Sequence, residues 1–374
     1  MTSDLAAPAE VSPDRAAPDL TAAGVQYLPV DPAVKSARIA VIGCGGISAW
    51  HLAAYKEAGY SVVALCDIVR DRAVERQQEF FPAADVYTDH LEMLARDDID
   101  VVDIATHVDV RPDLVRAALD HGKNVLSQKP FVREISEGRS LVEYAKANDR
   151  TLAVNQNGRW TPHFAYLLSA IRSGLIGDVL SADFWVYWPH DEVVADNAIF
   201  STMQELILFD YGIHWFDMVA QVFSGKEATE VTARTKSVSN SVISVPTNAY
   251  ALIEFPDAQA SVTFRGSSHL QEWAGYRVEG TKGVLYNSSD EYLGSSSVNL
   301  FTDRGTETVD LQGSWFANGM HGSMGVLLRS LEEGTVPSNE AGTALAGLQL
   351  CYAALQSDRL RSSVDPRTVN SADR

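Results

Sequence analysis

The chain has 374 residues, with 30 Lys plus Arg against 49 Asp plus Glu and a formal charge of −19; at about 150 residues per domain, this length predicts two domains. An acidic surface repels a phosphate backbone, and no segment approaches the roughly 18 uninterrupted apolar residues of a membrane-spanning helix, so neither nucleic acid nor a membrane is an expected partner. Cys44, Cys66 and Cys351 follow no regular spacing, which speaks against a disulfide framework or a Cys-rich metal site and fits a reducing cytoplasm.

Residues 1–36 carry Pro8, Pro13, Pro18, Pro29 and Pro32 among many alanines. They read as a flexible N-terminal arm, with packing on a neighbouring subunit as the alternative. They lack a basic start followed by an apolar stretch, so no secretory signal is expected. From Ala37 short apolar runs alternate with amphipathic ones. Strands are predicted over 37–42, 61–66, 85–87, 99–105, 124–127 and 151–155, and helices over 48–57, 71–80, 112–120 and 135–147. The run 99–105 has the Val and Ile content of a strand buried on both faces, although Asp100 and Asp103 interrupt it. Such alternation implies parallel strands with crossover helices, hence an α/β Rossmann domain over 37–156.

Residues 157–374 have a different texture. A helix is predicted over 162–173, a strand over 180–188 and a long helix over 203–223. Consecutive strands follow over 230–238, 249–255, 258–265, 277–279, 283–287 and 297–302, and helical patterning returns over 324–355. Consecutive strands imply an α+β domain with an open-faced, mostly antiparallel sheet. An uncovered apolar sheet face is unusual on a monomer, so a homodimer or homotetramer is expected.

Gly43, Gly45, Gly46, Ile47 and Ser48 join the first strand to the first helix. Gly43 permits the tight turn, and Gly45 lets the backbone approach a pyrophosphate seated on the helix N-terminal amides. Ser48 stands where the third glycine of G-x-G-x-x-G would be, and is small enough for close packing. Asp67 ends the second strand 24 residues after Gly43, close to the roughly 20-residue separation at which a carboxylate reaches the adenosine ribose hydroxyls. NAD is therefore expected rather than NADP, with Arg70 and Arg72 as the residues that could instead accommodate a 2′-phosphate.

Gln128-Lys129-Pro130 follows a predicted parallel strand, at the end that faces the ligand crevice. Lys129 can there reach both cofactor and substrate. Asp210, His214 and Asp217 are spaced i, i+4, i+7, which on a continuous helix puts them on one face. Asp210 can then orient the His214 imidazole or share a proton network with Lys129. Imidazole plus two carboxylates could also ligate a cation, but no second ligand cluster is visible, so no metal is expected. Asn157, Arg159 and Trp160 lie just past the last strand of the first domain, where polar and planar groups could bind hydroxyls. Phe184, Trp185, Tyr187 and Trp188 alternate along a strand, so only some can line a pocket. His190, just beyond, is a candidate substrate contact.

Together these residues resemble the Gfo/Idh/MocA family over about 37–364. Its E-K-P motif corresponds to Gln128-Lys129-Pro130, with glutamine in place of glutamate, and its D-x-x-x-H motif to Asp210 and His214. The T-P-N segment corresponds to Thr106-His107-Val108 on the nicotinamide side, and N-R-R-F to Asn157-Gly158-Arg159-Trp160, with one arginine missing. The resemblance implies a Rossmann domain followed by an open-faced sheet domain, with Lys129, Asp210 and His214 as the catalytic set. It further implies an NAD-dependent dehydrogenase acting on a secondary alcohol of a sugar, sugar derivative or cyclitol. Alternatives are a glycoside-processing enzyme or epimerase that recycles its NAD, and a non-catalytic NAD-binding regulator.

Overall fold

Five crossover helices connect six short parallel strands, as the alternation of apolar runs dictates. The strands are β1 (Arg38–Ile42), β2 (Ser61–Cys66), β3 (Asp85–Tyr87), β4 (Val101–Ile104), β5 (Asn124–Gln128) and β6 (Leu152–Asn155), in the order β3-β2-β1-β4-β5-β6. The computed structural model describes residues 22–290 and 297–371. The helices are α1 (Gly46–Ala58), α2 (Arg70–Phe80), α3 (His90–Leu94), α4 (Arg111–Asp120) and α5 (Ile135–Ala147). Ile39, Val41, Val101 and Leu126 are fully buried, because helices cover both faces of the sheet. Strand order reverses between β1 and β4, and in open α/β sheets ligands bind outside the carboxyl ends of the strands at such a switch point. Sequence patterning missed the short α3, whose signal is Asp89, a side-chain cap on the Leu91 N–H at 2.8 Å.

The second sheet holds β7 (Val179–Tyr187), β8 (Glu230–Lys236), β9 (Asn248–Phe255), β10 (Ala258–Arg265), β11 (Trp273–Gly280), β12 (Val284–Ser289), β13 (Ser297–Thr302) and β14 (Gly305–Asp310). Its order is β14-β13-β12-β11-β7-β10-β9-β8; β7 and β10 run parallel and the other neighbours antiparallel. Period-two burial sends Ala182, Phe184 and Val186 into the core. The core side is covered by α6 (Pro162–Arg172), α8 (Ile213–Val222) and the C-terminal α10 (Gly342–Leu360), while the short α7 (His190–Val194) follows β7. The opposite face groups Trp185, Tyr187, Trp273 and Tyr286, with ring centroids 5.3 to 6.1 Å apart.

Three expectations change. The predicted helix over 203–223 is interrupted: Leu206–Tyr211 is a wider π turn, in which the Gly212 N–H reaches the Ile207 carbonyl at 3.0 Å, and α8 starts only at Ile213. Residues 22–36 of the predicted arm make hydrogen bonds to the rest of the chain. Tyr166 donates to the Ala22 carbonyl at 2.9 Å, and Asp31 accepts from Tyr60 and His321, each at 2.6 Å; the rest of that arm, 1–21, lies outside the described residues. The expected boundary at residue 156 divides the sequence but not the packing. Met324, Leu327 and Leu328 of α9 (Trp315–Glu333) share a core with Ile39, Val41 and Leu52 of the first domain. At about 1.5–3 kcal/mol for each buried side chain of this size, α9 is a stabilising layer of the nucleotide half.

Candidate active site

The glycine turn between β1 and α1 has the geometry its sequence predicts. Gly43 adopts φ +95°, and a Cβ there would lie 2.9 Å from the Ala105 backbone, so β1 and β4 approach too closely for any side chain. Beside Gly45 and Gly46, by contrast, no atom of the described residues beyond their own chain neighbours and helix backbone lies within 4 Å of an added Cβ. That open side, over the N-terminus of α1, is a cradle that a pyrophosphate fits. Ser48 is buried and turns its hydroxyl back to the Gly45 carbonyl at 2.6 Å, and Ile47 is half-buried. Asp67 closes the turn: its two carboxylate oxygens accept the Cys44 and Val69 N–H groups, each at 2.8 Å. Each oxygen keeps a lone pair for a ribose hydroxyl. Arg70 is exposed at the start of α2.

On the β4 side, Thr106 is half-buried and its hydroxyl has no hydrogen-bond partner among the described residues. His107 turns away to Asp109 at 3.1 Å. Sequence reasoning missed Arg111, which is buried and caps the carbonyls of Gln128, Pro130 and Thr106. Burial pushes its guanidinium down to about 9. No local pattern marks an arginine whose partners include carbonyls 17 and 19 residues away.

Lys129 leaves the end of β5 and crosses to the π turn. Its Nζ donates to the Asp210 carbonyl at 2.8 Å and lies 3.4 Å from the carboxylate Oδ1. The same amine bears on two imidazoles. Burial lowers His214 well below the usual 6.5, and the Lys129 charge lowers it further. Burial likewise brings His190 to about 4, with Asp210 opposing and Lys129 assisting. Both histidines are therefore neutral at physiological pH. Nδ1 of His214 and Nε2 of His190 are buried with no hydrogen-bond partner among the described residues. Tyr211 stacks on His190 at 4.2 Å, and Trp315 sets its ring edgewise to His214 at 5.6 Å. Gly158, where the family motif has an arginine, leaves room for the imidazole: a Cβ would meet His214 Nδ1 at 3.3 Å.

The predicted single face of Asp210, His214 and Asp217 is divided: Asp210 lies in the π turn and the other two in α8, and the two carboxylates take different partners. Asp210 serves Lys129, whereas Asp217 forms a buried two-point ion pair with Arg159 at 2.6 and 2.7 Å. Arg159 thus differs from the expected substrate contact: Asp217, the Ser338 carbonyl and Thr343 already occupy its donors. Trp160 also departs from expectation. It lines a cavity of about 370 Å³ between the Gln26–Val30 stretch, α6 and α9, a lining that includes none of Lys129, His190, Asp210 and His214. Asn157 is buried with Nδ2 near the Met320 sulfur at 3.5 Å and its Oδ1 unpartnered among the described residues. Among the described residues no group of three or more His, Cys, Asp or Glu is placed to hold a metal ion, and no helix is long and apolar enough to cross a membrane. Cys44, Cys66 and Cys351 are buried free thiols.

A doubly wound sheet with a glycine turn, an acid at the end of β2 and a polar cluster at the crevice defines a nucleotide-dependent oxidoreductase. Comparison with known proteins agrees. Residues 37–156 match the "Oxidoreductase family, NAD-binding Rossmann fold" and residues 164–286 the "GFO/IDH/MocA C-terminal domain". The chain belongs to the Gfo/Idh/MocA family of NAD-binding oxidoreductases. It is 30% identical to the D-apiose dehydrogenase of Paraburkholderia graminis over 269 residues, 70% of each chain. It is 28% identical to inositol 2-dehydrogenase 4 of Saccharopolyspora erythraea over 203 residues, 54% of this chain and 57% of that one. An oxidoreductase from Agrobacterium radiobacter, solved with NAD+, L-tartaric acid and magnesium, shares the fold with a TM-score of 0.78 at 24% identity, covering 89% of this chain and 99% of that one.

Proposed function

We propose that the protein oxidises a secondary hydroxyl of a sugar, sugar derivative or cyclitol with NAD+ as acceptor. The observation that carries this reading is the Lys129–Asp210 contact beside two buried, neutral imidazoles with unpartnered nitrogens. Buried polar atoms without a protein partner call for an explanation, and ligand hydroxyls at this cluster supply one. The named substrates of the apiose and inositol dehydrogenase relatives supply the substrate class.

NAD+, when bound, supplies the hydride acceptor. The chain's own residues manage the proton and the charge. His214, already neutral, takes the hydroxyl proton as general base. Lys129 donates to the same oxygen and stabilises the alkoxide as it develops, and Asp210 holds Lys129 in place. The amides of the glycine turn and Asp67 bind the nucleotide half. His190 and Asn157 supply hydroxyl contacts. The test is NADH absorbance with D-apiose, inositol isomers, anhydrosugars and glycosides as candidates. Stoichiometric NADH from one of them supports the assignment. Product without NADH would favour a recycling reaction on the same residues.

The aromatic outer face of the second sheet supports self-association as a homodimer or homotetramer, because an apolar patch of this kind is seldom left in water. Light scattering on the purified chain tests this. Acidic charge and unpaired thiols support a reducing cytoplasmic location.

A further inference from the structure

A buried polar chain runs beneath the crevice, and the reaction as described leaves it without a task. Asp103 sits in β4 with no exposure, where strand burial would favour Val or Ile. Its Oδ2 accepts from His51 Nδ1 at 2.7 Å and from the Tyr55 hydroxyl at 2.8 Å. The other ring nitrogen, His51 Nε2, lies 2.8 Å from Gln128 Nε2 and 3.2 Å from Asn155 Nδ2. Gln128 Oε1 in turn accepts the Lys129 backbone N–H at 2.6 Å.

The donor and acceptor roles along this chain are forced. A backbone N–H can only donate, so the Gln128 oxygen must face Lys129 and its NH2 must face His51. An amide NH2 can only donate, so His51 Nε2 must present a lone pair and Nδ1 must carry the proton given to Asp103. Tyr55, held in its protonated form by burial, completes the set as a second donor to Asp103. From the other side, Arg111 grips the carbonyls of Gln128 and Pro130. The main chain at Lys129 is thus held through its N–H by the buried chain and through its carbonyl flanks by Arg111. The amine can then bridge to Asp210 without searching for it.

We propose that His51, oriented by Asp103 and acting through the Gln128 amide, is a positioning residue for Lys129. Its contribution to turnover rests on the reading of Lys129 given above; the positioning itself does not. Glutamine at position 128, where the family motif has glutamate, makes the chain run in one direction only. The carboxamide donates to His51, whereas a carboxylate there would have to accept from it.

The experiment uses the full chain labelled with ε-13C-lysine and with 15N-histidine, the Lys129 signal being assigned with K129R. In the parent protein His51 shows a protonated Nδ1 and an unprotonated Nε2, and Lys129 stands apart from the exposed lysines. Gln128→Leu, which keeps the volume but removes both hydrogen bonds, moves the Lys129 signal toward those of exposed lysines. His51→Ala does the same. Gln128→Glu keeps the Lys129 signal, because one carboxylate serves both neighbours, and puts a proton on His51 Nε2. An unchanged Lys129 signal in both Gln128→Leu and His51→Ala, or a protonated Nε2 in the parent chain, overturns the proposal. With an accepted polyol as probe, Gln128→Leu lowers NADH formation on the order of 100-fold, as a displacement of about 1 Å does. A shifted Lys129 signal with undiminished NADH formation would uphold the positioning and remove Lys129 from the chemistry.

Discussion

Lys129 and Asp210 meet across the two halves of the molecule, and the shorter of their contacts, 2.8 Å, is to the Asp210 main-chain carbonyl rather than to its carboxylate, 3.4 Å away. The backbone of the π turn therefore anchors the amine, and the carboxylate supplies charge. Lys129→Met is expected to lower kcat at least ~100-fold, since it removes the donor to the developing alkoxide. Asp210→Asn should cost less, because the carbonyl contact survives. NADH initial rates rank the two variants; equal losses would show that the carboxylate dominates.

His214→Ala should lower kcat at least ~100-fold, within the range of general acid–base catalysis, while NAD affinity by fluorescence titration stays nearly constant. Unaltered turnover would remove His214 from the reaction. Because burial and the Lys129 charge lower the His214 pKa, its neutral, proton-accepting form persists well below pH 6.5. The acidic limb of the kcat/KM profile should accordingly lie well below that value. A limb centred at 6.5 would point to an exposed histidine instead.

Asp67 closes the glycine turn through the Cys44 and Val69 N–H groups, and the proposed function gives it the ribose hydroxyls as well. Asp67→Ala is expected to weaken NAD much more than NADP, because a carboxylate repels a 2′-phosphate that it no longer meets in the variant. The ratio of the two dissociation constants is the measurement. Equal weakening would mean that Asp67 acts only through its bonds to Cys44 and Val69.

Arg159→Met leaves the Asp217 carboxylate buried and alone. Removing one partner of such a pair costs about 3–5 kcal/mol. Thermal unfolding should show that loss, with the KM for substrate little changed in the molecules that remain folded. A large rise in KM without a fall in stability would restore Arg159 to the substrate pocket.

Burial works against ionisation of Asp31, but hydrogen bonds from Lys35, Tyr60 and His321 outweigh it and hold the carboxyl at about 2. A carboxyl lowered in this way stabilises the folded form above its ordinary range near 4, and the contribution is lost as pH falls toward 2. Residues 22–36 should therefore loosen on acidification between about pH 4 and 2, read as limited proteolysis of that segment. Asp31→Asn should show the cleavage already at neutral pH.

The elements with strong local signals are legible in the sequence. Apolar runs mark β1, β2 and β5, a period-two pattern marks β9, β10 and β13, and the glycines from Gly43 to Gly46 mark the strand-to-helix turn. The long helix was not legible in the same way. Nothing in a continuous apolar pattern announces that Gly212 bonds five residues back, yet that wider turn sends Asp210 to Lys129 and leaves Asp217 to Arg159. Asp103 stood out only as an interruption in a strand, and its reason, a histidine 52 residues earlier, appears only in three dimensions.

By itself the sequence determined the order and type of the main elements, the doubly wound half, the mostly antiparallel half and the residue types available for a nucleotide and a hydroxyl. Period and turn chemistry act over a few neighbours, so they can be read along the chain. The tertiary structure alone decided which charges pair. It gave Arg159 to Asp217 and Lys129 to Asp210, tied residues 22–36 to the rest of the chain and laid α9 on the first sheet. Those choices depend on which groups lose their water together when distant segments pack, and linear order does not encode that.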